Sequence, residues 1–318
     1  MSRKKVFITA EIFPEAKEIL SKHFDVEVSA KESLTEDEIL ENSKEIHGLL
    51  SLITDPITKK VINSSKKLEG IANYGVGYNN IDIEAANEHN ITVTNTPEVL
   101  TDATSDLAWA LLMAAARKIV PSDEFTRVGK FTGWGANLFL GADIKGKTLG
   151  VIGAGRIGQT FAKRSLGFDM KILYHNRSRN RQLEDELNAQ YVDKETLLKE
   201  SDFISLHAPL TEQTYHMIGE NELEMMKDSA ILINTARGPM IDEKALVLAL
   251  KQKKIWAAGL DVFEREPKLE EDLNTLDNVV LTPHTGSATY DTRRKMAEIA
   301  ANNLVRILNG EEPLTPVN

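Results

Sequence analysis

The chain has 318 residues, 42% of them hydrophobic and 27% charged, which is enough material for two domains with buried cores. A net charge of −10 argues against nonspecific nucleic-acid or membrane-surface binding, and neither kind of partner is expected. The absence of cysteine excludes disulfides, thiolate metal sites and cysteine nucleophiles, and no HExxH or EF-hand spacing suggests a metal.

The start, Met1-Ser2-Arg3-Lys4-Lys5, is basic, but Val6-Phe7-Ile8 is too short for a signal-peptide core. The greasiest stretch, Leu107 to Ala116, cannot span a bilayer, so a cytoplasmic protein is expected. Strand candidates follow at Val6–Thr9, Asp25–Val28, Gly48–Ile53, Gly70–Tyr74 and Ile91–Thr94. Helix-prone runs such as Pro14–Lys22, Thr35–Asn42 and Ile81–His89 separate them, and this alternation predicts a mostly parallel sheet. Residues 101–119 read as one long helix, with Thr101 as N-cap and Pro121 beyond its end.

A second alternating series places strands at 148–152, 170–175, 202–207, 230–234, 256–262 and 278–282. Ser287 to Asn309 then reads as a helix long enough to return to the first domain. The fold class expected is α/β, with two doubly wound parallel sheets. A Rossmann domain (residues 99–285) would be inserted into a flavodoxin-like domain built from 1–98 and 286–318.

Gly141-Ala142-Asp143-Ile144-Lys145-Gly146-Lys147-Thr148 formally matches a phosphate-binding P-loop. That loop must follow a strand and open a helix, whereas here it runs into a strand, so the match is a coincidence.

The informative motif comes next. The apolar strand Thr148–Ile152 leads into Gly153-Ala154-Gly155-Arg156-Ile157-Gly158 and a helical pattern from Arg156 to Leu166. This is the dinucleotide-binding turn: one glycine for the tight turn, one for backbone approach to a pyrophosphate, one for helix–strand packing. The helix N-terminus offers free N–H groups to the phosphates. About half the chain precedes this turn, which sets aside enzymes that open with their Rossmann unit, such as the L-lactate and malate dehydrogenases.

The second strand of such a fold normally ends in a carboxylate for the ribose 2′-OH of NAD. Here the segment is Tyr174-His175-Asn176-Arg177-Ser178-Arg179. Asn176 does not repel a 2′-phosphate, Arg177 and Arg179 can clamp one, and Ser178 adds a hydroxyl. NADP(H) is therefore favoured, with NAD(H) still possible; the bland alternative is a solvated basic loop.

Three further blocks follow apolar strands. They are Asn234-Thr235-Ala236-Arg237-Gly238-Pro239, Ala258-Gly259-Leu260-Asp261-Val262-Phe263-Glu264-Arg265-Glu266-Pro267, and Thr282-Pro283-His284-Thr285-Gly286-Ser287-Ala288-Thr289. Taken alone, each residue has an ordinary reading: a solvated histidine, one acid among 48, an ion-paired arginine. Together and in this order they supply an acid, its charge partner and a carboxylate anchor.

With the early segment from Asn73 to Asp82, these blocks make nearly the whole chain resemble the D-2-hydroxyacid dehydrogenases, especially the glyoxylate/hydroxypyruvate reductase branch. The resemblance implies that Arg237 holds the substrate carboxylate and polarises its carbonyl. It makes His284 the proton donor and Glu266 the group that favours the imidazolium. The amides of Val76 and Gly77 would be a second carboxylate grip, and Asp261 would bond the nicotinamide carboxamide. His207-Ala208-Pro209, Thr235, Ala236, Arg237, His284 and Gly286 would line the cofactor groove. Hinges near Pro97–Thr101 and His284–Ser287 would close the domains over the ligands.

The activity implied is NAD(P)H-dependent reduction of a small 2-keto acid of the glyoxylate or hydroxypyruvate type. A longer keto acid such as 2-ketogluconate is the alternative substrate, and a corepressor-like nucleotide sensor is the alternative class. The region 99–147 resembles the family's dimerisation segment, so a homodimer is expected. Within it, Trp134 either enters the partner's substrate pocket or simply packs. Thr285, often Ile or Val in relatives, reads as a packing change. The chain ends nine residues after its last helix, so no C-terminal regulatory domain of the phosphoglycerate dehydrogenase kind is expected.

Overall fold

Short apolar runs separated by polar helical stretches build two parallel sheets. The computed structural model describes residues 3–318, and they divide into two compact units, one ending at Leu100 and resuming at Ser287–Asn318, the other Thr101–Gly286.

The first unit contains β1 (Lys5–Ile8), β2 (Asp25–Val28), β3 (Gly48–Leu52), β4 (Gly70–Tyr74) and β5 (Thr92–Thr94). Their order is β2-β1-β3-β4-β5, all parallel, which is the flavodoxin-like arrangement. Helices Pro14–Ser21, Glu36–Ser43, Lys59–Ser64, Ile83–Glu88 and Tyr290–Leu308 accompany the sheet. Thr35 and Glu38 form a reciprocal capping box that starts the second of these. The last helix begins at Tyr290, not at Ser287, because Thr289 caps it by accepting the Thr292 N–H. Beyond it the tail pairs with β5, the Val317 N–H donating to the Val93 carbonyl at 2.8 Å. Fully buried Ile39, Leu49, Ile62 and Ile71 belong to the core on one side of the sheet.

The second unit contains β6 (Thr148–Ile152), β7 (Lys171–His175), β8 (Gln190–Tyr191), β9 (Phe203–Leu206), β10 (Ile231–Asn234), β11 (Ala257–Leu260) and β12 (Val279–Leu281). The order β12-β11-β10-β9-β6-β7-β8, parallel throughout, is the Rossmann order extended by one strand. All carboxyl ends therefore face one edge of the sheet, where ligands of open α/β sheets bind.

The long helix read over 101–119 is instead two. Thr101–Ala116 stops where Lys118 turns left-handed (φ 51°), and Ile119–Arg127 restarts with Pro121 in its first turn. Proline is tolerated there because first-turn amides have no helical acceptor. Thr101 is the first helical residue and not the cap. The helix opened by the glycine turn spans Arg156–Arg164, shorter than read, and tightens into a 3-10 turn at Ser165–Phe168. The short strand β8 was not read from the sequence. No described helix is long and apolar enough to cross a membrane.

Candidate active site

The glycine turn has the space the three-glycine pattern requires. Gly153 follows β6 with φ 95°, a conformation costly for other residues, and a Cβ there would lie 2.3 Å from the Ala208 nitrogen. A Cβ on Gly158 would lie 2.1 Å from the Gly153 carbonyl, so the helix packs on the turn only without one. A Cβ on Gly155 would meet nothing within 4 Å, which leaves that edge open for a pyrophosphate to approach backbone. Arg156 is exposed at the helix start and Ile157 is half-buried behind it, its carbonyl accepting from Ser105 Oγ.

The wall beside Gly153 is the His207-Ala208-Pro209 turn. Burial pushes the His207 imidazole down to about 3, so it is neutral, and its Nε2 lies 2.8 Å from Ser205 Oγ. Thr235 contributes a buried Oγ1 without a hydrogen-bond partner. A buried hydroxyl left unmatched fits a group that accepts or donates there. Cradle and orphaned hydroxyl together fit a dinucleotide.

The ribose end departs from expectation. Asn176 is half-buried, its Nδ2 donates to the Ser178 carbonyl at 3.1 Å, and its own carbonyl accepts from Tyr191 Oη. Arg177 and Ser178 are exposed. Arg179 does not stand beside Arg177 as a second free clamp. Its guanidinium grips Glu184 with two bonds, 3.0 and 2.8 Å, and lies over the Tyr191 ring. The sequence reading missed Glu184, five residues on, because only the local turn brings it back. It also missed Asn180, whose Nδ2 donates to the Ala154 carbonyl and ties the basic turn to the glycine turn.

Arg237, Glu266 and His284 lie on three loops that follow the carboxyl ends of β10, β11 and β12. After β10, Asn234 shapes the Arg237 turn: its Oδ1 accepts the Ala236 N–H and its Nδ2 donates to the Arg237 carbonyl. The Arg237 Nη1 donates to the half-buried Ala236 carbonyl at 2.6 Å. Gly238 lets this loop touch the next one, since a Cβ there would lie 1.9 Å from the Phe263 carbonyl carbon.

After β11, Glu266 turns back so that Oε1 accepts the Phe263 N–H at 2.9 Å, while Oε2 lies 2.8 Å from His284 Nδ1. Burial raises the Glu266 carboxyl, but the hydrogen bond and charge of His284, the Phe263 N–H and the Arg237 charge outweigh it and hold it below the usual carboxylate range. Burial lowers the Arg237 guanidinium and the Glu266 charge opposes that; it stays cationic. Arg237, Glu266 and His284 are thus one electrostatic group.

His284 itself has a left-handed backbone (φ 53°), a strained state that the surroundings must impose. Asp261 imposes it. Its main-chain carbonyl accepts the His284 N–H at 2.9 Å. Its buried carboxylate accepts Thr282 Oγ1 (2.6 Å), the Thr285 N–H (2.7 Å) and the Gly286 N–H (2.8 Å). This clasp was not legible in the sequence. It also gives Thr285 more than a packing role, since both its amide and its hydroxyl bond Asp261.

A parallel Rossmann sheet with a fitted dinucleotide cradle and a carboxylate–imidazole pair at its carboxyl edge defines a nicotinamide-linked dehydrogenase. Residues 109–286 match the D-isomer specific 2-hydroxyacid dehydrogenase NAD-binding domain family. A glyoxylate reductase of Thermococcus litoralis is 52% identical, covering 99% of this chain and 97% of its own. One of Pyrococcus horikoshii is 51% identical, covering 99% and 96%. Among solved structures, a Thermus thermophilus protein superposes with TM-score 0.93 at 42% identity, covering 99% of this chain and all of its own. An NADPH-dependent glyoxylate/hydroxypyruvate reductase of Sinorhizobium meliloti, solved with NADP and malonate, gives 0.88 at 32% identity over 99% and 97%. The chain belongs to the D-isomer specific 2-hydroxyacid dehydrogenase family.

Proposed function

We propose that the chain reduces a small 2-keto acid, of the glyoxylate or hydroxypyruvate type, to the 2-hydroxy acid (the D form where chiral). The observation that carries this reading is the 2.8 Å contact between His284 Nδ1 and Glu266 Oε2, with the Arg237 charge coupled to the same carboxylate. Glu266 engages Nδ1, so Nε2 is the nitrogen that hands a proton to the substrate's carbonyl oxygen. Glu266 stabilises the imidazolium before transfer and orients the ring. Arg237 grips the carboxylate through its planar fork and draws electron density from the adjoining carbonyl. The amides of Val76 and Gly77 offer the carboxylate further donors. When bound, the reduced nicotinamide would supply the hydride that completes the reduction, and Asp261 would receive its carboxamide. His207, Ala208, Pro209, Thr235, Ala236 and Gly286 would line the cofactor, and the open backbone at Gly155 would receive its pyrophosphate.

NADPH is the favoured cofactor. Asn176 carries no charge to repel a 2′-phosphate, and the exposed Arg177 and Ser178 are its first contacts; Arg179 joins only by leaving Glu184. The protein acts as a homodimer through 99–147. Ile119, Val120, Val128, Phe131, Leu138 and Leu140 are exposed there, and Trp134 is 87% exposed, apolar side chains that a second copy would cover.

The test is a panel of 2-keto acids, short and long, under each cofactor, read as kcat/KM from nicotinamide absorbance. Glyoxylate or hydroxypyruvate with NADPH should lead. A preference for NADH contradicts the cofactor assignment. NADPH binding without turnover of any keto acid contradicts the enzyme assignment and marks a nucleotide sensor.

A further inference from the structure

After β4, three successive carbonyls are pinned. The Gly75 carbonyl accepts the Thr96 N–H at 2.9 Å, the Val76 carbonyl accepts Asn95 Nδ2 at 2.8 Å, and the Gly77 carbonyl accepts Asn73 Nδ2 at 2.8 Å. The peptide units here are trans, so each N–H points opposite to the carbonyl of its own unit. Pinning these carbonyls therefore turns the amides of Val76, Gly77 and Tyr78 the other way. Two adjacent carbonyls bonded to adjacent residues, Asn95 and Thr96, cannot occur in an extended strand, where successive carbonyls alternate. The amides of Val76 and Gly77 thus share one side. None of the three donates to any other group among the described residues, and all three residues reach solvent. Backbone polar groups facing one way without partners form a concavity suited to an anion.

The two asparagines are themselves held. Asn73 is fully buried. Asn95 is braced by the chain's tail, its N–H donating to the Thr315 carbonyl at 3.3 Å and its carbonyl accepting Thr315 Oγ1 at 2.6 Å.

We infer that Asn95 and Asn73 are positioning residues: Asn95 holds the Gly77 amide beside the Val76 amide that the Thr96 N–H orients, and Asn73 aims the Tyr78 amide beside both, making a three-donor nest for a carboxylate. The inference rests on the carboxylate grip proposed above and adds the residues that create it and a third donor. An alanine at 95 frees the Val76 peptide to rotate, so the Gly77 amide no longer faces the anion. Loss of a hydrogen bond to a charged group predicts a 10- to 100-fold weaker grip.

Asn95→Ala and Asn73→Ser are to be assayed with glyoxylate and NADPH and titrated with oxalate, the amides followed by 15N-TROSY spectra. In the wild type, oxalate should move the Val76, Gly77 and Tyr78 resonances. In each folded variant those shifts should weaken and KM for glyoxylate should rise about 10- to 100-fold, with kcat within about threefold and NADPH affinity unchanged. If Asn73→Ser fails to fold, the half-buried Asn95 site carries the test alone. Wild-type KM in a folded variant, or silent 76–78 amides while oxalate binds, overturns the inference. If no keto acid is reduced yet oxalate still moves these amides and the variants abolish the response, the functional reading fails and the nest stands.

Discussion

Glu266 Oε2 and His284 Nδ1 are 2.8 Å apart, and the carboxylate is anchored from behind by the Phe263 N–H. A carboxylate fixed at that nitrogen orients the ring so that Nε2 is left for the substrate. Glu266→Gln keeps the shape and removes the charge. Its kcat for keto-acid reduction should fall by about tenfold or more while NADPH affinity changes little. Wild-type turnover in that variant means the carboxylate does not act on the imidazole.

The second site concerns stability. Glu243 is buried beneath the Glu264 loop, where its Oε1 accepts the Glu264 N–H at 2.7 Å and Oε2 has no partner. Burial raises its carboxyl to about 7; the Glu264 N–H opposes this, the Glu264 and Glu270 charges add to it, and Arg265 opposes it. An unfolded glutamate loses its proton near 4.5, so between there and about 7 the folded chain holds a proton that the unfolded chain has released. This contribution is full below about 4.5, declines as pH rises to about 7 and is flat above. Glu243→Gln should remove a penalty of roughly 2–3 kcal/mol at pH 8 and change little at pH 5. Thermal melts at the two pH values check it: equal Tm differences at both contradict the buried titration.

The ribose turn carries a paired test. Asn176→Asp restores the charge that repels a 2′-phosphate and should shift the kcat/KM ratio toward NADH by tenfold or more, an ion-pair-sized effect. Glu184→Gln releases Arg179 from its two-bond grip and should shift the ratio toward NADPH. Opposite shifts support the turn as the cofactor selector; two unchanged ratios assign the turn no such role.

Much of this was readable from residues alone because its signals are local. The glycine turn, the Asn176 substitution and the Arg237, Glu266 and His284 blocks each follow an apolar strand, and strand ends deliver them to one edge. The features that escaped depend on folded geometry. The break at Lys118 is a backbone event, a left-handed φ at a residue type that ordinarily continues a helix. Glu243 looks like an ordinary first-turn helix acid until the Glu264 loop covers it. Asp261 holds residues more than 20 positions away, and Asn73 and Asn95 act on carbonyls, so no side-chain pattern announces them.

The most direct measurement is the turnover of His284→Ala with glyoxylate and NADPH, alongside its NADPH affinity by nucleotide fluorescence. General acid catalysis contributes about 10²- to 10⁴-fold, so kcat should fall by at least about 10² while cofactor affinity changes little. Near wild-type turnover in that variant, with the cofactor still bound, contradicts the account.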